Sequence, residues 1–203
     1  MSKRIGLYGG TFDPPHFGHL HLANEMMSRH DLDEVWFIPA ATAPHKQGRK
    51  TASAAHRMAM VERLVEGLPK FRVLDIEVQR GGTSYTIDTI NEILANPKLS
   101  EGCQFFLIMT DEYIEDFPNW KGMEEIVEKT TLLIGRRSAE KSPPPPTGMP
   151  AVDVAVKKGL NEMAVLEIRA TDIRDRVAKG LSCRHLAPAS VLSYLYENQL
   201  YKE

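Results

Sequence analysis

A chain of 203 residues, 42% of them hydrophobic, has enough apolar material for one substantial core and is expected to fold as a single domain over 1–203. Its 25 Lys and Arg against 27 Asp and Glu, a formal net charge of −2, create no global basic field that would draw it to nucleic acid or an anionic membrane, so any anion site must be local. Cys103 and Cys183 give no zinc knuckle, no redox pair and little sign of a disulfide framework, and no apolar stretch approaches the roughly 18 residues of a membrane span, so a reducing cytoplasm is the simplest setting.

In chain order, short β-branched and aromatic runs alternate with segments of helical period. The runs are RIGLYG (4–9), EVWFIPA (34–40), FRVLDIEV (71–78), QFFLIM (104–109), TTLLIG (130–135) and MAVLEI (163–168). Helices are expected over about 18–30, 54–67, 86–95, 121–129, 171–179 and 188–199. This alternation argues for an α/β fold, a doubly wound parallel sheet with helices on both faces and a small helical portion toward the C-terminus. The 54–67 helix sets Met58, Val61, Leu64 and Val65 on one stripe, with Ser53 as N-cap and Gly67 at its end. Four consecutive prolines in SAEKSPPPPTGMP (138–150) remove donors and fix φ, which predicts an exposed connector. VDVAV (152–156) and the segment after it are expected to return to the same sheet. Right-handed crossovers would bring the strand C-termini, and the loops after them, to one edge where ligands bind.

GGTFDPPHFGHL (9–20) falls between the first strand and the first helix, the turn in which a doubly wound fold builds a phosphate site. Gly9 and Gly10 would let the backbone pass close to a ligand or take positive φ, while Pro14 and Pro15 stiffen the loop and waste no donor at a helix start. No Gly-Lys-Ser/Thr follows, so this is not a Walker A loop, and the Gly-x-Gly-x-x-Gly dinucleotide pattern is absent. His16 and His19, one turn apart at a helix N-terminus, would point the same way, where imidazole donors add to the positive helix end in holding oxyanions. Two other interpretations stand beside this one. A zinc site could use the same spacing but needs a third ligand, and His21 would face elsewhere; a plain hydrogen-bonded structural role is the other.

The stretch GGTFDPPHFGH resembles the signature of the nucleotidylyltransferase superfamily, Gly-x-Phe-x-Pro-x-His-x-Gly-His, matched at Gly10, Phe12, Pro14, His16, Gly18 and His19. The resemblance implies a Rossmann-like fold that binds ATP along Gly9, Gly10, Thr11 and Phe12. It also implies that both histidines stabilise charge on the α-phosphate and pyrophosphate. IPAATAPHK (38–46) is similar to the loop after the second strand in bacterial nicotinate-nucleotide adenylyltransferases, which implies that His45 and Lys46 add positive charge to the phosphate site; the alternative for Lys46 is an ordinary solvated side chain. TSYTIDTI (83–90) is similar to that family's Ser-Tyr-Thr segment, and implies that Tyr85 and Thr86 receive the carboxylate of the pyridine substrate. A free helix N-terminus favours a carboxylate over a neutral amide; the alternative is that Thr86 only caps the helix. FPNW (117–120) resembles the loop whose aromatic stacks on the pyridine ring, which implies that role for Trp120, with Phe117 as core or wall; the alternative is that Trp120 only fills the core. The HR pair at 56–57 begins the second helix much as in that family; the alternative is that Arg57 only forms a surface pair.

IRATDIR (168–174) is similar to the second signature, Ile-Ser-Ser/Ala-Thr-x-x-Arg, which implies that Thr171 and Arg174 hold the β- and γ-phosphates. Two positions depart from the pattern. Arg169 stands where serine is usual and either strengthens the triphosphate site or turns outward. Met109-Thr110-Asp111 replaces Gly-x-Asp: Asp111 is kept, for ribose or metal, while Met109 would crowd a close backbone approach.

Taken over nearly the whole chain, the resemblance implies transfer of AMP from ATP to nicotinate mononucleotide, giving deamido-NAD and pyrophosphate in NAD biosynthesis. Mg²⁺ would bridge phosphate oxygens, and His16, His19, Lys46 and Arg174 would form the catalytic set. The rivals are the same chemistry on nicotinamide mononucleotide, phosphopantetheine or a polyol phosphate, and a nucleotide-binding module without catalysis, motivated by Met109 and Arg169. Nucleic-acid and membrane partners are not expected, metal ligands are unassigned, and association into a homo-oligomer is left open.

Overall fold

The computed structural model describes residues 2–44, 51–136, 143–164 and 166–202. Its strands are β1 (Lys3–Gly10), β2 (Glu34–Pro39), β3 (Phe71–Val73), β4 (Cys103–Thr110), β5 (Thr131–Gly135) and β6 (Leu160–Asn161). They form a parallel sheet in the order β3-β2-β1-β4-β5-β6. Parallel sheets need cover on both faces, which is why the middle of β1, Ile5 to Tyr8, is buried without interruption.

Period-2 alternation divides these strands between two cores. Val35, Phe37, Phe106, Ile108 and Leu133 point to one; Ile5, Leu7, Trp36, Ile38, Phe105, Leu107, Leu132 and Ile134 point to the other. The first core is closed by α1 (Phe17–Arg29) and α2 (Ala54–Val65), joined by α8 (Ala170–Ala178) and α9 (Ala189–Glu197) further along the chain. Between α2 and α8 come α3 (Ile76–Arg80), α4 (Thr86–Ala95), α5 (Pro97–Ser100), α6 (Met123–Lys129) and α7 (Pro150–Gly159), of which α4, α6 and α7 cover the second core. A 3₁₀ helix, Asp111–Asn119, follows β4 directly. The fold is the doubly wound Rossmann-like arrangement expected from the sequence, with α8 and α9 as its C-terminal helical portion.

Several expectations are corrected. The strand read over 71–78 stops at Val73: Leu74 gives its N–H to Phe37 O at 2.9 Å, and the chain then turns into α3. VDVAV lies within α7 rather than in the sheet, because Pro150 suits a first helical position and Val152 and Val156, four apart, are both buried. The last strand is Leu160–Asn161, not 163–168. In α2, Met60 and not Met58 completes the buried stripe, while Ser53 caps as expected, its Oγ accepting from His56 N–H at 3.2 Å. Of the connector at 138–150, the described part before Pro150 has no helix or strand. It is not wholly exposed, since Thr147 is buried with its N–H and hydroxyl on Asp153 Oδ1 at 2.8 and 2.7 Å.

Candidate active site

Strand order runs outward from β1 through β2 to β3 and from β4 through β5 to β6, so the carboxyl ends of β1 and β4 flank the crevice where a doubly wound sheet binds ligands. A cleft of about 710 Å³ opens there. One wall is built by Gly9, Gly10, Thr11, Phe12, Asp13, His16 and His19, together with Arg169, Thr171 and Arg174; the other by Tyr85, Thr86, Tyr113 and Trp120.

The loop after β1 is anchored by its aromatic residue rather than bent by its glycines. Gly9 and Gly10 belong to β1, and the left-handed residue is Phe12, at φ 51°. Its ring is buried edge-on against Tyr8 (5.5 Å) and His19 (5.0 Å) and tilted on Phe37 (5.7 Å). A side chain at Gly10 would stand 3.0 Å from that ring, whereas one at Gly9 would meet nothing within 4 Å, so Gly9 leaves the strand end open for a ligand to approach.

His16 is the N-cap of α1, and His19 sits three residues on. The rings do share one direction: they stack with centroids 3.7 Å apart and 28° between planes. His16 N–H donates to His19 Nδ1 at 3.1 Å, so that nitrogen must keep its lone pair and the ring proton resides on Nε2. Among the described residues, no group of three His, Cys, Asp or Glu side chains could hold a metal ion, so the zinc interpretation gains no third ligand there.

Arg174 joins the two signatures, its Nη1 donating to Asp13 O at 2.6 Å. Thr171, from the same first turn of α8, and Arg169, its exposed N-cap, both line the cleft. Met109 also lines the cleft while 4% exposed, where the usual glycine would leave room. Asp111 does not line it; its carboxylate stands 4.0 Å from Arg136 Nε. His45 and Lys46 lie outside the described residues.

On the opposite wall Tyr85 is the extended N-cap of α4 and Thr86 its first residue, and no side chain caps the turn. The N–H groups of a first helical turn lack intrahelical acceptors, which suits an anion. Trp120 packs edge-on against Phe117 (5.3 Å) and Tyr113 (5.9 Å), and its indole N–H is buried with no acceptor among the described residues. Phe117 is core, fully buried.

Among the buried charged residues that sequence reasoning misses are Arg57 and Glu77. Arg57 forms no surface pair among the described residues: it is 2% exposed and donates to Ala52 O (3.1 Å), Thr11 O (2.8 Å) and Ala41 O (2.8 Å). Thr11 lies in the loop after β1, and Ala41 and Ala52 lie toward the two ends of the β2–α2 connection, so these two loops are coupled through one guanidinium. Glu77 lines the cleft from α3 and accepts the Thr89 hydroxyl at 2.6 Å; burial pushes its carboxyl above the ordinary range, against the hydrogen bonds from Thr89 and Ser84. A neighbouring bond, Ser84 Oγ accepting from Ala41 N–H at 2.9 Å, ties the loop after β2 to the start of α4.

The profile of the cytidylyltransferase-like family matches residues 7–176. The chain is 39% identical over 201 residues to the Probable nicotinate-nucleotide adenylyltransferase of Halalkalibacterium halodurans, covering 98% of this chain and 92% of that one. It is 37% identical over 199 residues to the protein of the same name from Salinibacter ruber, covering 98% and 97%. In fold it is similar to Plasmodium falciparum nicotinic acid mononucleotide adenylyltransferase complexed with NaAD, at 18% identity and a TM-score of 0.76 over 98% of this chain and 97% of that one.

Proposed function

The chain belongs to the cytidylyltransferase-like family, and from that premise we propose that it transfers AMP from ATP to nicotinate mononucleotide, forming nicotinate adenine dinucleotide (deamido-NAD) and pyrophosphate in NAD biosynthesis. The observation that carries this reading is the convergence on one cleft of His16 and His19, of Thr171 and Arg174, and of Tyr85, Thr86 and Trp120, which come from well-separated parts of the chain.

A phosphate oxygen of the mononucleotide attacks the α-phosphorus of ATP, and the bond to the β-phosphate breaks. The attacking phosphate is already an anion near neutral pH, so no general base and no covalent intermediate are needed. Catalysis is positioning and charge stabilisation. His19, with its proton on Nε2, donates to the α-phosphate as negative charge builds; His16 beside it does the same, and Arg174 with Thr171 holds the departing pyrophosphate. Gly9, Gly10, Thr11 and Phe12 carry ATP along the strand end, and we retain His45 and Lys46 as substrate-binding residues on the sequence resemblance. The first turn of α4 receives the pyridine carboxylate while Trp120 stacks on the ring.

Enzymes of this type use a divalent metal with ATP, and the donor set here fits Mg²⁺ carried by the substrate. The Asp13 carboxylate is taken up by protein groups, and the triphosphate wall is otherwise imidazole, guanidinium, hydroxyl and backbone. Such a cation neutralises phosphate charge. We read the whole of 1–203 as one nucleotidyltransferase domain working in the cytoplasm. Among the described residues no helix is long and apolar enough to cross a membrane, and both cysteines are free.

The test is pyrophosphate release by purified protein with ATP and Mg²⁺, comparing nicotinate mononucleotide, nicotinamide mononucleotide and phosphopantetheine, with product masses checked. Strong preference for the nicotinate substrate is expected. ATP binding with no release from any acceptor would instead establish a nucleotide-binding module, with Met109 and Arg169 as the first residues to revert.

A further inference from the structure

The nucleotide loop holds one carboxylate, Asp13, and that residue is 2% exposed. Three groups from distant parts of the chain converge on it. Arg174 Nη1 donates to its carbonyl at 2.6 Å and stands 3.7 Å from Oδ2. Ala52 N–H donates to Oδ1 at 3.1 Å. The hydroxyl of Tyr201 donates to the same Oδ1 at 2.6 Å, across 188 residues of sequence.

Tyr201 is shaped to deliver that bond. It sits at φ 61°, two residues after Gln199 at φ 52°, and a bulky residue in the left-handed region persists only where its surroundings hold it. Its ring packs against the edge of the first core, so the phenol is aimed by burial as well as by backbone. Burial first, and the Asp13 charge beside it, push the hydroxyl far above the ordinary tyrosine range, so it keeps its proton and remains a donor. Tyr201 does not line the cleft, whereas Asp13 and Arg174 do.

We propose that Tyr201 and Asp13 are positioning residues for ATP: the phenol pins the Asp13 carboxylate, and Asp13 then holds the Arg174 fork in the direction that meets the β- and γ-phosphates. An arginine stem is rotamer-rich, and a fork braced before the ligand arrives loses less freedom on binding. With Oδ1 occupied by Tyr201 and Ala52, Oδ2 is the oxygen that faces the guanidinium. Two signature segments, residues 9–19 and 168–174, are thus registered against each other through a residue that touches no substrate. This inference rests on the reading of Arg174 as a phosphate ligand.

The deciding variant is Tyr201→Phe, which keeps the ring and deletes one donor, with Asp13→Asn as the second. Each is compared with wild type by calorimetric binding of a non-hydrolysable ATP analogue with Mg²⁺ and no acceptor, and by KM and kcat. Loss of one hydrogen bond's worth of organisation predicts about 3- to 10-fold weaker analogue binding and a matching rise in KM for ATP for Tyr201→Phe. For Tyr201→Phe, KM for nicotinate mononucleotide stays near wild type, and Asp13→Asn shifts analogue binding in the same direction and further. Wild-type analogue affinity in both variants, with only a lowered unfolding temperature, overturns the proposal and leaves a purely structural strap. If wild type binds the analogue but releases no pyrophosphate with nicotinate mononucleotide, the reaction assignment fails, while the affinity difference between wild type and Tyr201→Phe still decides the positioning role.

Discussion

The backbone N–H of His16 points at Nδ1 of His19 from 3.1 Å while the two rings stack 3.7 Å apart, so the second histidine is oriented by the first. That arrangement fixes which nitrogen carries the proton before any substrate arrives. His19→Ala therefore removes a preorganised donor, and kcat is expected to fall by about 10²- to 10³-fold. Because His19 is only half-buried, the variant keeps a melting temperature close to wild type. Steady-state pyrophosphate release alongside thermal melts checks both; near-normal turnover removes His19 from the catalytic set.

Trp120 lines the same cleft as His16 and His19, braced by Phe117 and Tyr113. Stacking a flat ring on an indole is worth about 1–3 kcal/mol by truncation, or roughly 10- to 100-fold in affinity. Trp120→Ala is expected to raise KM for nicotinate mononucleotide by that factor and to leave KM for ATP nearly unchanged. Parallel shifts in both constants would place Trp120 in the scaffold instead.

Arg57 satisfies the carbonyls of Thr11, Ala41 and Ala52 from a buried position. Arg57→Met has similar length but no donors, and the abandoned carbonyls lose roughly 3 kcal/mol of folding stability. Arg57→Lys recovers little of it, since one ammonium cannot span the three acceptors of the planar fork. Urea unfolding of the three proteins measures the difference, and equal midpoints for Lys and Arg at position 57 would refute the fork argument.

Glu77 binds its proton more tightly in the folded protein than in the unfolded chain, because burial outweighs its hydrogen bonds. Its contribution to stability is thus fully present below the ordinary carboxylate range and is lost as pH rises through the raised folded value. Glu77→Gln is neutral throughout. Relative to wild type it gains stability with rising pH, read as a growing difference in urea midpoint between about pH 4 and pH 8. A constant difference would show that the carboxyl titrates alike in both states.

The parts of the site legible in the sequence are those carried by local pattern. The histidine signature, Thr171 with Arg174, and Tyr85 with Thr86 each lie within one loop or one helix turn, and the sheet brings them to the same cleft. The features that sequence reasoning misses depend on distance or on ambiguity of period. FRVLDIEV alternates well enough to suggest one long strand, yet Asp75 divides it, and the second half buries Glu77 in a short helix. VDVAV fits periods of two and of four equally, and Pro150 ahead of it is the feature that decides for helix. Leu160–Asn161 is too short to show any periodicity. Arg57 looks like a surface residue because its acceptors are carbonyls in other loops, which no side-chain pattern reports.

The pairing of β1 with β4 also governs the order in which this protein can acquire its activity. Leu7 sits opposite Leu107, so the central ladder closes over about a hundred residues of intervening chain. Closing so long a loop delays the reward for forming it, and proteins dominated by such pairings fold slowly. During synthesis, β1 emerges well before β4 and has only β2 beside it until β4 is made. A chain caught at that stage presents one unsatisfied edge of β1, the kind of surface on which strands of other molecules assemble. Once the ladder has closed, ATP binds the folded form alone, and its cellular concentration then holds the equilibrium there.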